Sequence, residues 1–325
     1  MSLKFFALSL QLVVLFLFGP PLRAEEIYIY FKTAPIAELL RPNGDAASLS
    51  LLITGADGRP VNEGTVAIRL DAPKAGGFLS TDVPVVEGTQ LSEMRLPLRQ
   101  GRVNWKYLFP IRGRYNLAVD FTGADGTKSS KSFQFTVREN RHKWIALGGF
   151  SLGLFLVGFI AGRIFTGARA KAAAFVLAVA FFVAATATGL KAQDTASEGS
   201  AARLDIEPAF VGKPSRIHWS LDGAGAKPVL ALTLTITQLE ENKVVFAVER
   251  IPVAGDFSMS FQFTDGSEHR VTALAEAQGR VPIKTEQVIN VTAVEPPMRV
   301  MIPALSFFMV LIALGIVAGR WSKRR

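Results

Sequence analysis

The chain has no cysteine. That excludes disulfides, thiolate metal sites, c-type haem attachment and cysteine nucleophiles. Any exported part must therefore hold its fold by core burial alone, which domains of about 100 residues achieve. Histidine is scarce too, limited to His142, His218 and His269. Hydrolysis needs a nucleophile, a base and an orienting group, and no stretch presents them together. Ala75-Gly76-Gly77 and Gly223-Ala224-Gly225 neither follow a strand nor open a helix, so they are not phosphate cradles. Glu240-Glu241 reads as a solvated turn. The chain is expected not to be an enzyme and to carry no cofactor.

Charge is missing from two long stretches, residues 144–162 (WIALGGFSLGLFLVGFIAG) and 172–190 (AAAFVLAVAFFVAATATGL). A helix rises about 1.5 Å per residue and a bilayer core is about 30 Å thick, so each run can span. The junction Arg163–Lys171 holds Arg163, Arg169 and Lys171 and no acid. Short basic loops stay in the cytoplasm. Residues 144–163 and 172–190 thus read as a transmembrane hairpin around a cytoplasmic loop at 164–171. A further span at 300–320 ends in the basic tail 321–325, which repeats the orientation. No span has an ionisable interior residue, which argues against a proton relay or ion path.

The net charge of +9 is a topology signal. It collects in the loop, the tail and the leader, leaving the outer parts neutral in sum and giving no case for nucleic acid. Residues 1–24 run from Lys4 through the apolar Phe5–Phe18 to Gly19-Pro20-Pro21 and Ala24, the layout of a secretory signal peptide. The alternative is an uncleaved anchor. Both place residue 25 onward outside.

Residues 25–140 alternate as strands: Ile27, Ile29 and Phe31, then Leu49, Leu51 and Ile53, then 65–70, 103–109, 115–121 and 132–137. Turns fall at Asp57-Gly58 and Asp125-Gly126. This pitch predicts an antiparallel β-sandwich. Ala72–Leu98 is expected to be an extended loop with short edge strands. Trp105, Tyr107 and Phe109 share one face, either as core or as a sugar- or peptide-binding surface. Residues 203–296 repeat the theme through Arg216–Leu221, Leu230–Leu239, Lys243–Val248, Phe257–Phe263, His269–Glu276 and Gln287–Val294, predicting a second sandwich. The small, polar linker 191–202 is expected to tether it flexibly. The fold class is all-β plus transmembrane α: two immunoglobulin-like antiparallel sandwiches joined by the hairpin, with a C-terminal transmembrane helix.

Gly158-Phe159-Ile160-Ala161-Gly162-Arg163 and Gly315-Ile316-Val317-Ala318-Gly319-Arg320 close two of the spans, each following a β-rich segment. This suggests an internal duplication. Gly149 and Gly153, Gly158 and Gly162, and Gly315 and Gly319 clear helix faces for close packing, between these spans or with another membrane protein.

One arrangement would bring metal chemistry: His218 and His269 with Met259 or Asp265, since imidazole and thioether suit copper. The alternative is two surface histidines. Phe109-Pro110, Gly113-Arg114-Tyr115-Asn116-Leu117, Asp120-Phe121 and Phe133-x-Phe135-x-Val137 resemble the C-terminal half of the bacterial exported YtkA-like, FixH-like and CopC-like sandwiches. Asp57-Gly58-Arg59-Pro60-Val61 and Phe263-Thr264-Asp265-Gly266-x-x-His269 are similar to parts of the same group. The resemblance implies periplasmic immunoglobulin-like folds, some handling copper or assisting assembly of respiratory enzymes. It transfers no ligand position, because copper-binding members use a histidine at the mature N-terminus and this chain would begin there with Glu25.

These readings give a non-catalytic, multi-pass protein of the bacterial inner membrane with both β-rich parts in the periplasm. It is expected to be an accessory or assembly subunit whose partners are the lipid bilayer and a membrane or periplasmic protein. Copper handling for a membrane oxidase is the alternative.

Overall fold

The computed structural model describes residues 26–74, 76, 81–164, 202–221, 229–277, 279, 281–295 and 298–324. The expected leader, the run at 172–190, and all but the end residues of the cytoplasmic loop and the linker lie outside them.

Seven strands come first: β1 (Tyr28–Ala34), β2 (Ala47–Thr54), β3 (Gly64–Asp71), β4 (Gln90–Pro97), β5 (Arg102–Tyr107), β6 (Gly113–Gly123) and β7 (Lys128–Val137). Helix α1 (Arg141–Ile164) follows. Then come β8 (Ala202–Ile206), β9 (Pro214–Leu221), β10 (Leu230–Gln238), β11 (Lys243–Val253), β12 (Asp256–Gln262), β13 (Glu268–Glu276) and β14 (Ile283–Asn290), and helix α2 (Met298–Arg324).

Period-two alternation makes the strands. In β2, Ala47, Leu49, Leu51 and Ile53 are all fully buried, and in β10 the same holds for Leu232, Leu234 and Ile236. The turns use the expected chemistry: Gly58 and Gly126 adopt φ +75° and +85°. The preceding Asp57 and Asp125 accept the amides of Arg59 and Thr127 at 2.9 and 3.0 Å.

The two β-rich halves do not form separate sandwiches. One seven-stranded sheet runs β1-β2-β5-β11-β10-β13-β14 and the other β7-β6-β3-β4-β12-β9-β8, so each takes strands from both halves. The joins are β5 with β11, pairing Tyr107 with Phe246 and Trp105 with Val248, and β12 with β4, pairing Phe261 with Ser92 and Met259 with Met94. Replacing each strand of the first half by its counterpart in the second converts one sheet order into the other, as in a two-fold dimer.

The physical reason is edge satisfaction. Standing alone, each half would leave β4 and β5, or β11 and β12, with unpaired backbone groups along one side, and pairing across the seam removes those edges. The expected flexible tether is therefore not what positions the second half. The core is continuous as well: Phe31 on β1 meets Phe133 and Phe135 on β7, each at 5.5 Å, while Phe261 meets Phe246 at 5.5 Å and Tyr107 at 6.3 Å across the seam.

Strand β4 corrects the expectation of short edge strands within Ala72–Leu98. It lies at the middle of its sheet, with Met94 and Leu96 buried and Glu93 and Arg95 outward. The long connection before it, from Ala72 to Thr89, has no counterpart between β10 and β11, where Leu239–Asn242 makes a tight turn. It crosses onto the second half. Thr89 Oγ1 accepts from Gln262 Nε2 at 2.9 Å, and Gly212, at φ +81°, leaves space for the Val85 carbonyl that a Cβ would meet at 2.8 Å.

Candidate functional site at the helix-bearing face

Both helices leave the same end of the β body. Tyr107, Phe109, Phe135, Phe261 and Phe263 gather there in edge-to-face ring contacts. Asn140 starts α1, its Oδ1 accepting the His142 amide at 3.1 Å as an N-cap. A polar collar then fixes the helix to the body. Arg112 donates to Glu139 at 3.1 Å, with that carboxylate 8% exposed, and its guanidinium stacks 5.1 Å over the Trp144 ring. Lys143 pairs with Asp82 on the long β3–β4 connection.

Helices α1 and α2 are both long and apolar enough to cross a membrane. They run parallel and close on each other through glycine. A Cβ on Gly158 would strike the Ile312 carbonyl and one on Gly162 the Ile316 carbonyl; one on Gly315 would strike the Phe155 carbonyl and one on Gly319 that of Phe159. The contact is reciprocal, each Gly-x-x-x-Gly receiving backbone from the other helix. Phe150 and Phe308 cross at 88° with centroids 5.4 Å apart. Gly149 and Gly153 lie outside this seam, with nothing within 4 Å of a Cβ built on either.

The sequence-proposed metal ligands do not converge. His218 is on β9 between the buried Ile217 and Trp219, so it faces out of its sheet, beside Asp205 and Ser258 on the flanking strands. Met259 is 2% exposed on the inner face of that same sheet. His269 is 2% exposed on β13 of the opposite sheet. Among the described residues no three His, Asp or Glu side chains group to hold a metal.

His269 instead borders a cavity of about 400 Å³ at the helix-bearing end of the seam, with Tyr107, Phe261, Gln238, Asp265 and Lys243. Its Nδ1 lies 3.1 Å from the Ser267 carbonyl. A carbonyl only accepts, so Nδ1 carries the proton. Burial holds the imidazole below its ordinary pKa, against the smaller opposing pull of the Ser267 carbonyl and Asp265. Asp265 accepts from Gln238 and, at 3.2 Å, from Ser267 Oγ. These contacts orient the loop after β12.

Trp105, Tyr107 and Phe109 are 3%, 1% and 1% exposed, so this face is core. Sequence reasoning missed the collar formed by Arg112, Glu139, Asp82 and Lys143, because ion pairs between distant segments have no local signal. It named Tyr115 in the resemblance but gave it no contact; the buried hydroxyl donates to the Ile111 carbonyl at 2.6 Å and accepts the Ile111 amide at 3.2 Å.

No protein-family model matches the chain, and no curated protein matches it. Among solved structures it is similar to the PmoD soluble domain from Methylocystis sp. ATCC 49242 (Rockwell), at 17% identity and TM-score 0.24, covering 35% of this chain and 92% of that one. It is also similar to E. coli alpha-2-macroglobulin in its native conformation, at 10% identity and TM-score 0.29, over 84% of this chain and 17% of that one. A bacterial ice-binding adhesin aligns at 8% identity and TM-score 0.25, over 83% of this chain and 65% of that one.

Proposed function

We propose that this is a non-catalytic protein of the bacterial inner membrane, with its β body in the periplasm, acting as an accessory or assembly subunit of a membrane or periplasmic complex. The observation that carries the reading is the reciprocal, parallel glycine seam beneath one continuous β body. It puts Arg163 and Arg320 at the same helix end, far from the body, and cations at one end mark the cytoplasmic side. The uncharged run 172–190, which lies outside the described residues, is long enough by length to span a bilayer.

The body is built for holding rather than for chemistry. Strands β1, β14, β7 and β8 form its four sheet edges, and an exposed edge pairs with a partner strand. Tyr115 at the start of β6 makes the hydroxyl-to-backbone contact of an immunoglobulin tyrosine corner, which supports an immunoglobulin-like reading of the first half. The matched registers at the two joins and the two glycine motifs support an internal duplication.

The test is purification of the full chain in mild detergent. A partner protein retained in fixed ratio supports the reading. A chain that purifies alone, carrying stoichiometric copper lost on His218→Ala and His269→Ala, overturns it in favour of metal handling. A reporter fused near residue 167 that is active in the periplasm overturns the orientation.

A further inference from the structure

The β body presents two matching loops beside the helices. The β1–β2 connection carries a 3-10 turn at Ala37–Leu39, with Ile36 61% and Leu39 59% exposed. The Leu40 carbonyl accepts the Arg138 amide at 3.3 Å, which ties this turn to the last residues before α1. The β8–β9 connection holds the corresponding place in the second half. Phe210, 38% exposed, bridges Thr292, and the Ala209 carbonyl accepts the Thr292 amide at 2.9 Å, tying this loop to the lead into α2.

Each loop sets a cation beside its apolar side chains. Arg41 folds back onto the Glu38 and Leu40 carbonyls, both at 2.8 Å. Lys213 Nζ lies 5.4 Å over the Phe210 ring. Two carboxylates, Glu38 and Asp45, lie in the first loop and one, Glu207, in the second.

We propose that these two loops are lipid-contacting wedges: Ile36, Leu39 and Phe210 enter the headgroup–acyl boundary of the membrane that α1 and α2 cross, and Arg41 and Lys213 meet lipid phosphates. This rests on the membrane reading above. The occupant follows from continuity, since each loop is hydrogen-bonded to the chain just before a helix that itself enters lipid. Exposed apolar tips flanked by cations suit that boundary. Two such points, one per half, hold the base of the β body flat against the bilayer.

The native absence of cysteine gives the test, using the full chain in lipid nanodiscs with a nitroxide on single cysteines. Leu39→Cys, Ile36→Cys and Phe210→Cys are compared with Leu152→Cys on the exposed face of α1 and with Val281→Cys, 87% exposed at the opposite end of the body. Collision with oxygen against a water-soluble nickel chelate is the readout. Oxygen preference at positions 39, 36 and 210 several-fold above that at 281 supports the proposal. Values matching 281, with 152 still oxygen-rich, overturn it and leave the membrane reading intact. A water-exposed label at 152 overturns the membrane reading itself.

Discussion

Tyr115 and His269 hold the same position in the two halves of the β body. Tyr115 pairs with Phe135 and His269 with Ile289 on the strand that leads to each helix. Each ring meets a phenylalanine edge-on, Phe109 at 4.9 Å and Phe263 at 5.1 Å. One anchors its corner with a hydroxyl to the Ile111 backbone and the other with an imidazole to the Ser267 carbonyl. A buried side chain tied to a nearby backbone is thus common to both corners, and this gives His269 a structural role.

Tyr115→Phe should destabilise the protein by about 1–3 kcal/mol, because the buried Ile111 backbone groups lose their partner. Chemical denaturation of the purified protein measures the loss.

His269 should make the body acid-labile. Its folded pKa is held below the usual imidazole value by burial, so as pH falls below about 6.5 the unfolded chain takes up the proton first. Stability is fully present above that pH and is lost as pH drops toward the folded pKa. His269→Phe should flatten this part of a melting-temperature profile between pH 8 and 5.

The helix seam should be intolerant of side chains at four glycines. With Phe150→Cys and Phe308→Cys in the cysteine-free chain, a short bismaleimide should join α1 to α2. Adding Gly158→Ile or Gly315→Ile should abolish the link, since the new Cβ falls on backbone. Gly153→Ile should preserve it.

The continuous sheets should unfold as one unit. Trp105 and Trp219 are buried in the first and second halves. Observed one at a time, with Trp144 and Trp321 replaced by Phe and either Trp219→Phe or Trp105→Phe added, they should report the same denaturant midpoint. Phe261→Ala, in the shared core, should shift both by about 3–5 kcal/mol. Two separated midpoints would show independent halves.

Much of this was legible locally. The alternation of Leu49, Leu51 and Ile53 marks a half-buried strand wherever its neighbour comes from, and Asp-Gly pairs make turns by their own conformational preference. Strand β4 was the local failure: Met94, Leu96 and Leu98 alternate properly, but they follow a stretch rich in glycine and proline that reads as loop. The proposed ligands His218, Met259 and His269 failed for another reason, since alternation says that a side chain faces in or out and not which sheet carries it.

The sequence by itself determined most of the strands, the two helices and the glycines that let those helices touch, because burial period, hydropathy and side-chain size act over a few neighbouring residues. Tertiary structure alone decided that β5 joins β11 and β4 joins β12. Backbone hydrogen bonds are chemically alike in every strand, so a partner is chosen by which edges remain open once the whole chain has packed, and no local pattern encodes that choice.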